Sequence, residues 1–365
     1  MHMQLAIIGL PKSGKTTIFN ALTKGKAEVS AYSSSLTANI GAAKVPDSRL
    51  SVLEEIFHPK KTTPAEVNYV DIAGSPKTFG SQEGVGGTFL NYLTTADALV
   101  QVVRGFKDEE IIHPGGSLNP KQDVRNLDLE LAFSDLAIIE RRLERLEPTL
   151  KGAKASEREL CVKEQLLLQK IKAGLEKDIP IRQQGLPDGE LKMLSHYQFL
   201  TAKPMLVVLN IGEEQISQAS QLENEIRTLY PNFAVVALCG KLEMELAQLG
   251  DVEAKEFRRD MGLITPALDR VINLSYSLLG LISFFTTASA ELKSWTIPSG
   301  TTAPKAAGKV HSDMERGFIR AEVISYSDLE TCSNLAEARK RGLLRVEGKN
   351  YIVQDGDIIT ILFNV

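Results

Sequence analysis

The chain has 365 residues, enough for two or three domains with a full hydrophobic core. Apolar residues make up 43% and charged residues 24%, as in a soluble globular protein, and the net charge of -4 argues against a nucleic-acid coat. No apolar run reaches the roughly 18 residues of a membrane span, and three scattered cysteines suggest neither a disulfide framework nor a zinc site. We therefore expect a cytoplasmic, monomeric enzyme or binding protein that contacts neither DNA nor a membrane.

Strand and helix patterns alternate in the first hundred residues, and the alternation resumes near residue 205. The runs typical of strands are LAIIG, IGAAKVP, AEVNYVDIAG, ADALVQVVRGF, KPMLVVLN and FAVVALCG. TTIFNALTK and ISQASQLENEIRTLY are typical of helices. This rhythm favours an α/β fold with a doubly wound, largely parallel sheet.

The middle of the chain breaks this rhythm with two apolar stripes at helical spacing. They consist of Leu136, Ile139, Leu143, Leu146 and Leu150, and of Leu160, Leu167, Ile171 and Leu175. Between them, Ser156 and Glu159 have the form of a helix N-cap box. The pattern predicts an inserted, antiparallel α-helical hairpin at about 106–198; a helical lid packed on the sheet is the alternative.

The composition changes again at about Leu278. LISFFTT, FIRAEVIS, YIVQ and IITILFNV read as short strands, and LETCSNLAEARKRG predicts one helix that ends at Gly342. The pieces suit a C-terminal β-grasp domain over 278–365. The interrupted nucleotide-binding domain then covers 1–277.

A phosphate-binding motif lies at GLPKSGKT, residues 9–16, between the first strand and the first helix. Its glycines let successive N–H groups turn toward phosphates, and the helix N-terminus adds positive potential. The ammonium of Lys15 can reach the outer phosphates, and the hydroxyl of Thr16 suits Mg²⁺. The predicted phosphate-binding residues are Gly9, Leu10, Pro11, Lys12, Ser13, Gly14, Lys15, Thr16 and Thr17.

A second motif, YVDIAG, places Asp71 at the end of a strand, three residues before Gly74. A carboxylate there can accept a hydrogen bond from a Mg²⁺-bound water, and the Gly74 N–H can sense a γ-phosphate. We predict Lys15, Thr16, Asp71 and Gly74 as the catalytic group.

The base site is predicted at LVVLNIGEE, where guanine-specific proteins of this class carry N-K-x-D. Asn210 can hold N7 of either purine, Ile211 can pack on the ring, and Glu213 is one methylene longer than aspartate. In the later run ALCGKLE, the N–H groups of Cys239 and Gly240 can meet the base edge. Without guanine selectivity, ATP and GTP are both candidate ligands.

With these motifs in place, the chain resembles the YchF-type Obg-like ATPases, Obg-related P-loop NTPases of the translation-factor class, nearly from end to end. GLPKSGKTTIFNALTK, GTTAPKAAGKVHSDMERGFIRAEVI and EGKNYIVQDGDIITILFNV carry most of the resemblance. It implies an ATP-preferring P-loop domain, a coiled-coil hairpin insertion and a C-terminal TGS domain. It also implies association with the ribosome or RNA.

Two departures from the family fall in the phosphate loop. Lys12 stands where the family usually has asparagine, and Ser13 stands where it has valine. In related NTPases that asparagine helps to hold a monovalent cation. Lys12 therefore either replaces a potassium ion with a tethered ammonium or simply lies on the surface.

The switch segments depart further, and this makes binding safer to predict than hydrolysis. Ser75 and Pro76 follow Gly74 in place of the family's hydrophobic residue or a water-orienting glutamine, so no general base can be named. In AYSSSLTANIG, Ser35 or Thr37 can supply a hydroxyl to Mg²⁺, and spacing favours Ser35. The predicted metal group is Thr16, Ser35 and Asp71.

The leading interpretation is a Mg²⁺-dependent purine nucleotide-binding protein with slow hydrolysis of ATP, and also of GTP, that acts as a ribosome- or translation-associated switch. One alternative is a nucleotide-controlled binding switch with negligible hydrolysis. Another is a guanine-specific GTPase.

Overall fold

The computed structural model describes residues 3–25, 38–72, 87–108, 113, 116–152, 154–261, 263, 266–288 and 290–364. Its internal contacts divide the chain into a first unit, Met1–Gly41 with Asn68–Leu268, and a second unit, Ala42–Val67 with Asp269–Val365. The sequence analysis assigned 42–67 and 269–277 to the nucleotide-binding domain. The contacts group both segments with the C-terminal part of the chain instead.

The described residues form strands and helices in the following order. The strands are β1 (Gln4–Ile8), β2 (Ala38–Lys44), β3 (Lys61–Thr63), β4 (Glu66–Ile72), β5 (Ala98–Arg104), β6 (Met205–Asn210), β7 (Ala234–Leu238), β8 (Leu281–Ala288), β9 (Glu291–Pro298), β10 (Phe318–Ser325), β11 (Arg345–Glu347) and β12 (Asp357–Phe363). The helices are α1 (Lys15–Thr23), α2 (Arg49–Phe57), α3 (Gly87–Thr95), α4 (Pro120–Gly152), α5 (Ala155–Leu175), α6 (Asp188–Leu194), α7 (Ala219–Leu229), α8 (Gly240–Leu246), α9 (Asp251–Asp260), α10 (Ala267–Leu278), α11 (Ala303–Val310), α12 (Ser312–Arg316), α13 (Tyr326–Cys332) and α14 (Leu335–Lys340). None of the helices in the described ranges is long and apolar enough to cross a membrane.

A sheet with the order β2-β4-β1-β5-β6-β7 positions the predicted site. Strand β1 pairs in parallel with β4 and β5, and β6 pairs in parallel with β5 and β7. The register sets Ile7 opposite Asp71 and Arg104 opposite Asn210. The carboxyl ends of these strands therefore meet at one edge, which is where open α/β sheets bind ligands. The predicted doubly wound α/β fold is confirmed.

Helices α4 and α5 form an antiparallel pair, because Arg142 contacts Glu164 while Lys172 contacts Glu140. The beginning of α4 belongs to the core of the sheet, where Val124, Leu127 and Leu131 are buried. Farther along, α4 packs against α5 in a separate cluster that contains Ile139, Leu146, Leu167 and Ile171. One long helix thus combines the two predicted alternatives, since its first part covers the sheet and its second part forms the hairpin.

Two details of the hairpin prediction are wrong. Helix α5 begins at Ala155 after Lys154, so Ser156 lies inside the helix and makes no capping hydrogen bond. Leu160 is 65% exposed and does not join the buried stripe. The Ser-x-x-Glu spacing occurs by chance in the first turns of a charged helix, and local sequence could not distinguish this case.

The second unit contains a sheet with the order β11-β10-β12-β8-β9-β3. Strand β3 pairs with β9, and Leu53 of α2 packs in one cluster with Phe285 of β8, which explains why 42–67 belongs to this unit. The single helix predicted near its end is wrong, because Ser333 has a φ of 59° and the Asn334 side chain caps α14. Gly342, with a φ of 71°, follows that helix as predicted.

One predicted strand of the second unit is missing. YIVQ forms only an isolated bridge between Ile352 and Thr302. Strand β9, which the sequence analysis did not single out, instead pairs with β8 along its whole length.

Candidate functional site

The phosphate loop follows β1 and is shaped by two glycines that have no room for a side chain. A Cβ on Gly9 would lie 2.3 Å from the carbonyl oxygen of Val102, and one on Gly14 would lie 2.2 Å from Nδ2 of Asn210. Gly14 also has a φ of 93°, in the left-handed region that glycine adopts without strain. The loop therefore lies tight against the neighbouring strands, and α1 begins directly after it at Lys15.

Lys12 also has left-handed backbone geometry, with a φ of 63°. For a residue with a Cβ this conformation costs about 1 kcal/mol. The side chain is exposed. Neither predicted role of Lys12 is tested by this placement.

The ammonium of Lys15 folds back into the loop. Its Nζ donates to the carbonyl oxygens of Gly9 and Leu10, at 3.1 Å each. Burial lowers the pKa of Lys15, and the charge of Asp71 opposes that change. A cation held in this way offers positive charge to phosphates at the mouth of the loop.

Asp71 and Thr16 come together as predicted, with the Thr16 hydroxyl donating to Oδ2 of Asp71 at 2.8 Å. Asp71 is 1% exposed, and burial raises its pKa. The side-chain hydrogen bond from Thr16, the charge of Lys15 and the Asn39 side chain, through hydrogen bonding, lower the pKa. Within the described ranges, Oδ1 of Asp71 is buried without a hydrogen-bond partner. A hydroxyl beside a carboxylate with a free oxygen is a donor set that suits Mg²⁺ or its bound water.

The remaining residues of the loop differ in burial and in their hydrogen bonds. Leu10 contributes its carbonyl oxygen to Lys15 and also accepts from the Ser13 N–H at 3.3 Å. Pro11 lies in the turn of the loop, and Thr17 lies in the first turn of α1. Ser13 is 1% exposed, and its Oγ has no partner in the described part of the chain.

Asn210 connects the phosphate loop to the predicted base loop. Its Nδ2 donates to the Ser13 carbonyl oxygen at 2.9 Å, and its Oδ1 accepts from the Gly240 N–H at 2.9 Å. A Cβ on Gly240 would lie 2.9 Å from Oδ1 of Asn210 and 2.7 Å from Cδ1 of Ile18, so this position also favours glycine. The prediction that Asn210 holds N7 of a purine now depends on its second amide hydrogen.

Ile211 lies elsewhere than expected. It is 2% exposed and packs in the core of the sheet beside Leu209, and a Cβ on Gly105 would lie 3.1 Å from its Cγ2. Its apolar side chain therefore does not support the predicted packing against a base. The lysine of the N-K-x-D motif would keep its ammonium out of the core. The isoleucine of this chain has no charge, and burying its side chain is favourable in free energy.

The other base-loop residues lie at the same edge of the sheet. Cys239 precedes α8, is 6% exposed and has a pKa raised by burial. Glu213 begins a short 3-10 helix, Glu213–Gln218, and its Oε1 lies 3.7 Å from Nζ of Lys241. Sequence reasoning missed Lys241 and Asn39, because a lysine in a helix and an asparagine in a strand carry no motif.

The predicted residues Ser35 and Gly74 and the alternative Thr37 lie outside the described residues, as do Ser75 and Pro76, which depart from the family. The described ranges contain no group of three or more His, Cys, Asp and Glu side chains arranged to hold a metal ion. The metal-binding candidates that can be placed are therefore Thr16 and Asp71.

Two protein families match parts of this chain. Residues 4–134 match the MMR_HSR1 family, described as a 50S ribosome-binding GTPase, and residues 281–364 match the YchF-GTPase_C family, described as a protein of unknown function (DUF933). The chain is 39% identical over 370 residues to a Bacillus subtilis protein named ribosome-binding ATPase YchF, with both chains covered completely. The chain belongs to the YchF family.

Other YchF proteins extend the match. The ribosome-binding ATPase YchF of Escherichia coli O157:H7 is 39% identical over 369 residues, again with 100% of both chains covered. The structure of the Schizosaccharomyces pombe YchF GTPase superposes with a TM-score of 0.85 at 30% identity and covers 99% of this chain and 98% of that one. The resemblance inferred from the sequence is therefore confirmed along the whole chain.

Proposed function

We propose that this YchF-family chain binds a purine nucleoside triphosphate together with Mg²⁺ and hydrolyses ATP slowly, with GTP as a second substrate. The observation that carries the proposal is the arrangement of Lys15, Thr16 and Asp71 at the carboxyl edge of the sheet. An ammonium, a hydroxyl and a carboxylate with one free oxygen match a Mg²⁺-bound polyphosphate in both charge and donor type.

The Thr16 hydroxyl and Asp71 would hold Mg²⁺, with Ser35 as the proposed third contributor, and the bound ion would supply positive charge to the outer phosphates. Lys15 and the backbone N–H groups of the loop, which Pro11 lacks, would stabilise the charge that develops on the transferring phosphoryl group, and Gly74 is proposed to sense the γ-phosphate.

A low intrinsic rate follows from the sequence around Asp71. No water-orienting glutamine follows Gly74, where the chain has Ser75 and Pro76. We propose that a partner completes the site. The names of the relatives support the ribosome in that role, since the B. subtilis and E. coli proteins are called ribosome-binding ATPases.

The proposal includes the domain organisation and location expected from the sequence. The nucleotide-binding domain is assigned to the first unit, 1–41 and 68–268, with the coiled-coil insertion at about 106–198, and the TGS domain is assigned to the C-terminal part of the second unit. The chain acts as a cytoplasmic monomer that contacts ribosomal RNA or protein. The net charge of -4 does not indicate RNA binding, so the ribosome proposal rests on the names of the relatives.

The measurement that tests this function is single-turnover phosphate release from ATP and from GTP, with and without ribosomes. We expect slow release from ATP that ribosomes accelerate. Tight binding without release in either condition would instead favour a nucleotide-controlled switch with negligible hydrolysis. Release from GTP alone would favour a guanine-specific GTPase.

A further inference from the structure

An open cavity of about 460 Å³ lies in the second unit, where the chain leaves α2 and turns into β3. Its volume falls within the roughly 300–1,000 Å³ that is usual for small-molecule sites. The lining residues all come from one short stretch of the chain and are Glu54, His58, Pro59, Lys60, Lys61 and Thr62. Because these residues take no part in the proposed nucleotide site, the cavity is a separate candidate site.

Hydrogen bonds hold the backbone around the cavity in place. The His58 N–H donates to the Glu54 carbonyl oxygen at 2.9 Å and ends α2, and His58 has left-handed geometry with a φ of 44°. The Lys60 N–H donates to the Ala290 carbonyl oxygen at 2.8 Å. Strand β3 then pairs in parallel with β9 from Lys61 onward. The main chain therefore sets the shape of the cavity, and the long charged side chains can turn toward a ligand.

The cavity carries charges of both signs. Glu54 lies in the last turn of α2, whose carboxyl-terminal end adds negative potential, and Lys60 and Lys61 lie where β3 begins. Nζ of Lys61 is 3.1 Å from Oε1 of Glu291, so this ammonium already has a partner. Within the described part of the chain, neither Glu54 nor Lys60 forms an ion pair. One carboxylate and one ammonium are thus available to a ligand.

A ligand with charge of only one sign fits this lining poorly. Glu54 and the end of α2 repel an anion, the two lysines repel a cation, and an apolar ligand would bury charges without partners. A zwitterion satisfies both signs at once. We propose that the cavity binds a free amino acid, with its α-ammonium at the Glu54 carboxylate and its α-carboxylate at the Lys60 ammonium. The Thr62 hydroxyl and the His58 ring then face a polar side chain of the ligand.

Saturation-transfer NMR of the full chain with each standard amino acid tests this proposal. We expect at least one amino acid with a polar side chain to bind. Its carboxamide lacks the negative charge and its N-acetyl derivative lacks the positive charge. Each derivative should bind about fivefold more weakly, the effect of one exposed ion pair. Glu54→Gln and Lys60→Met should each weaken the binding of the amino acid by a similar factor.

Matched controls are Glu55→Gln in α2 and Lys349→Met in the turn that follows β11, which alter exposed side chains of the same types. Both should keep the wild-type affinity for the amino acid. If no amino acid binds, if either cavity variant leaves the affinity unchanged, or if either derivative binds as well as its parent, the proposal is overturned. All four variants should keep the wild-type affinity for ATP with Mg²⁺, so the proposed nucleotide function stands or falls separately.

Discussion

Two aspartates of the first unit are almost completely buried, and they are used in different ways. Asp135 in α4 is 0% exposed, and its two oxygens accept from the Leu200 N–H, the Thr201 N–H and the Thr201 hydroxyl at 2.7 to 2.9 Å. Asp71 is 1% exposed but accepts from the Thr16 hydroxyl with one oxygen, and its other oxygen has no partner in the described ranges. Burial alone therefore does not mark a site.

The two carboxylates differ in whether both of their oxygens accept hydrogen bonds from protein donors. Asp135 joins α4 to the turn that leads into β6, and both of its oxygens already accept hydrogen bonds from the protein. Asp71 lies beside a hydroxyl and an ammonium with one oxygen free, and an uncompensated buried acceptor is costly unless a ligand satisfies it. The first aspartate stabilises the fold, and the second is available for binding.

Replacing Asp135 should have the largest effect on stability. Asp135→Ala leaves two N–H groups and a hydroxyl buried without an acceptor, and we expect a loss of about 4 kcal/mol in the free energy of unfolding. Urea denaturation measures this loss, with Asp178→Asn as the control, because Asp178 has a φ of 59°, which asparagine tolerates better than alanine. Asp178 pairs with Arg125 on the surface, so the loss of its charge should cost less than about 0.5 kcal/mol. Equal losses in the two variants would contradict the assignment of Asp135.

The pH dependence of stability sharpens the same assignment. Burial raises the pKa of Asp135 to about 6, against the opposing hydrogen bonds from Thr201 and Leu200 and the charge of Arg182. An unfolded aspartate titrates near about 3.9. The folded chain therefore binds more protons between about pH 4 and 6, and wild-type stability should rise as the pH falls through that window.

The increase in the free energy of unfolding on acidification should approach about 3 kcal/mol for the wild type. It should be absent from Asp135→Asn, because the asparagine side chain does not titrate. Urea denaturation of both proteins at pH 7 and pH 4 measures the difference between them. A wild type that loses stability relative to Asp135→Asn on acidification would mean that the three donors outweigh burial and that the folded pKa is low.

Asp71→Asn should affect binding more than folding. The amide oxygen still accepts from the Thr16 hydroxyl, but the negative charge that faces Lys15 and the proposed Mg²⁺ position is gone. We expect the gain in triphosphate affinity produced by Mg²⁺ to fall about 30-fold. Calorimetry with and without Mg²⁺ measures this gain, and Asp178→Asn should keep it. An unchanged gain would show that Asp71 takes no part in the metal site.

The smallest effect is expected at Ser13, whose hydroxyl is buried without a described partner. Ser13→Ala removes that hydroxyl and should raise the free energy of unfolding by about 1 kcal/mol, with triphosphate affinity unchanged. Ser283→Ala is the opposite control, because Oγ of Ser283 is 2.8 Å from the Tyr276 hydroxyl and its loss should destabilise the chain. A loss of affinity in Ser13→Ala would assign its hydroxyl to the ligand.

Parts of the site were predictable because their chemistry is local. The GLPKSGKT motif placed Lys15 and Thr16, and the end of a hydrophobic strand placed Asp71 next to them, since parallel strands share one carboxyl edge. The sheet and the helical hairpin were also predictable, because their apolar residues repeat with strand or helix periodicity over long stretches.

The remaining features depend on tertiary contacts that no local pattern records. Ile211 is buried by the core of the sheet, and the 42–67 segment is held in the second unit by the pairing of β3 with β9. In the sequence, Asp135 is an ordinary polar residue of a helix. Its donors belong to Leu200 and Thr201, which lie more than sixty residues away along the chain. The break at Ser333 rests on one left-handed residue that composition does not reveal.

We propose that the loop around Lys15, with Thr16 and Asp71, holds a Mg²⁺-bound purine triphosphate. The most direct measurement is a calorimetric titration of the wild type and of Lys15→Ala with non-hydrolysable ATP and GTP analogues, with and without Mg²⁺. We expect saturable binding of at least one analogue, strengthened by Mg²⁺ and reduced about 100-fold or more in Lys15→Ala. No binding by the wild type, or binding that neither Mg²⁺ nor the loss of Lys15 alters, would contradict the account.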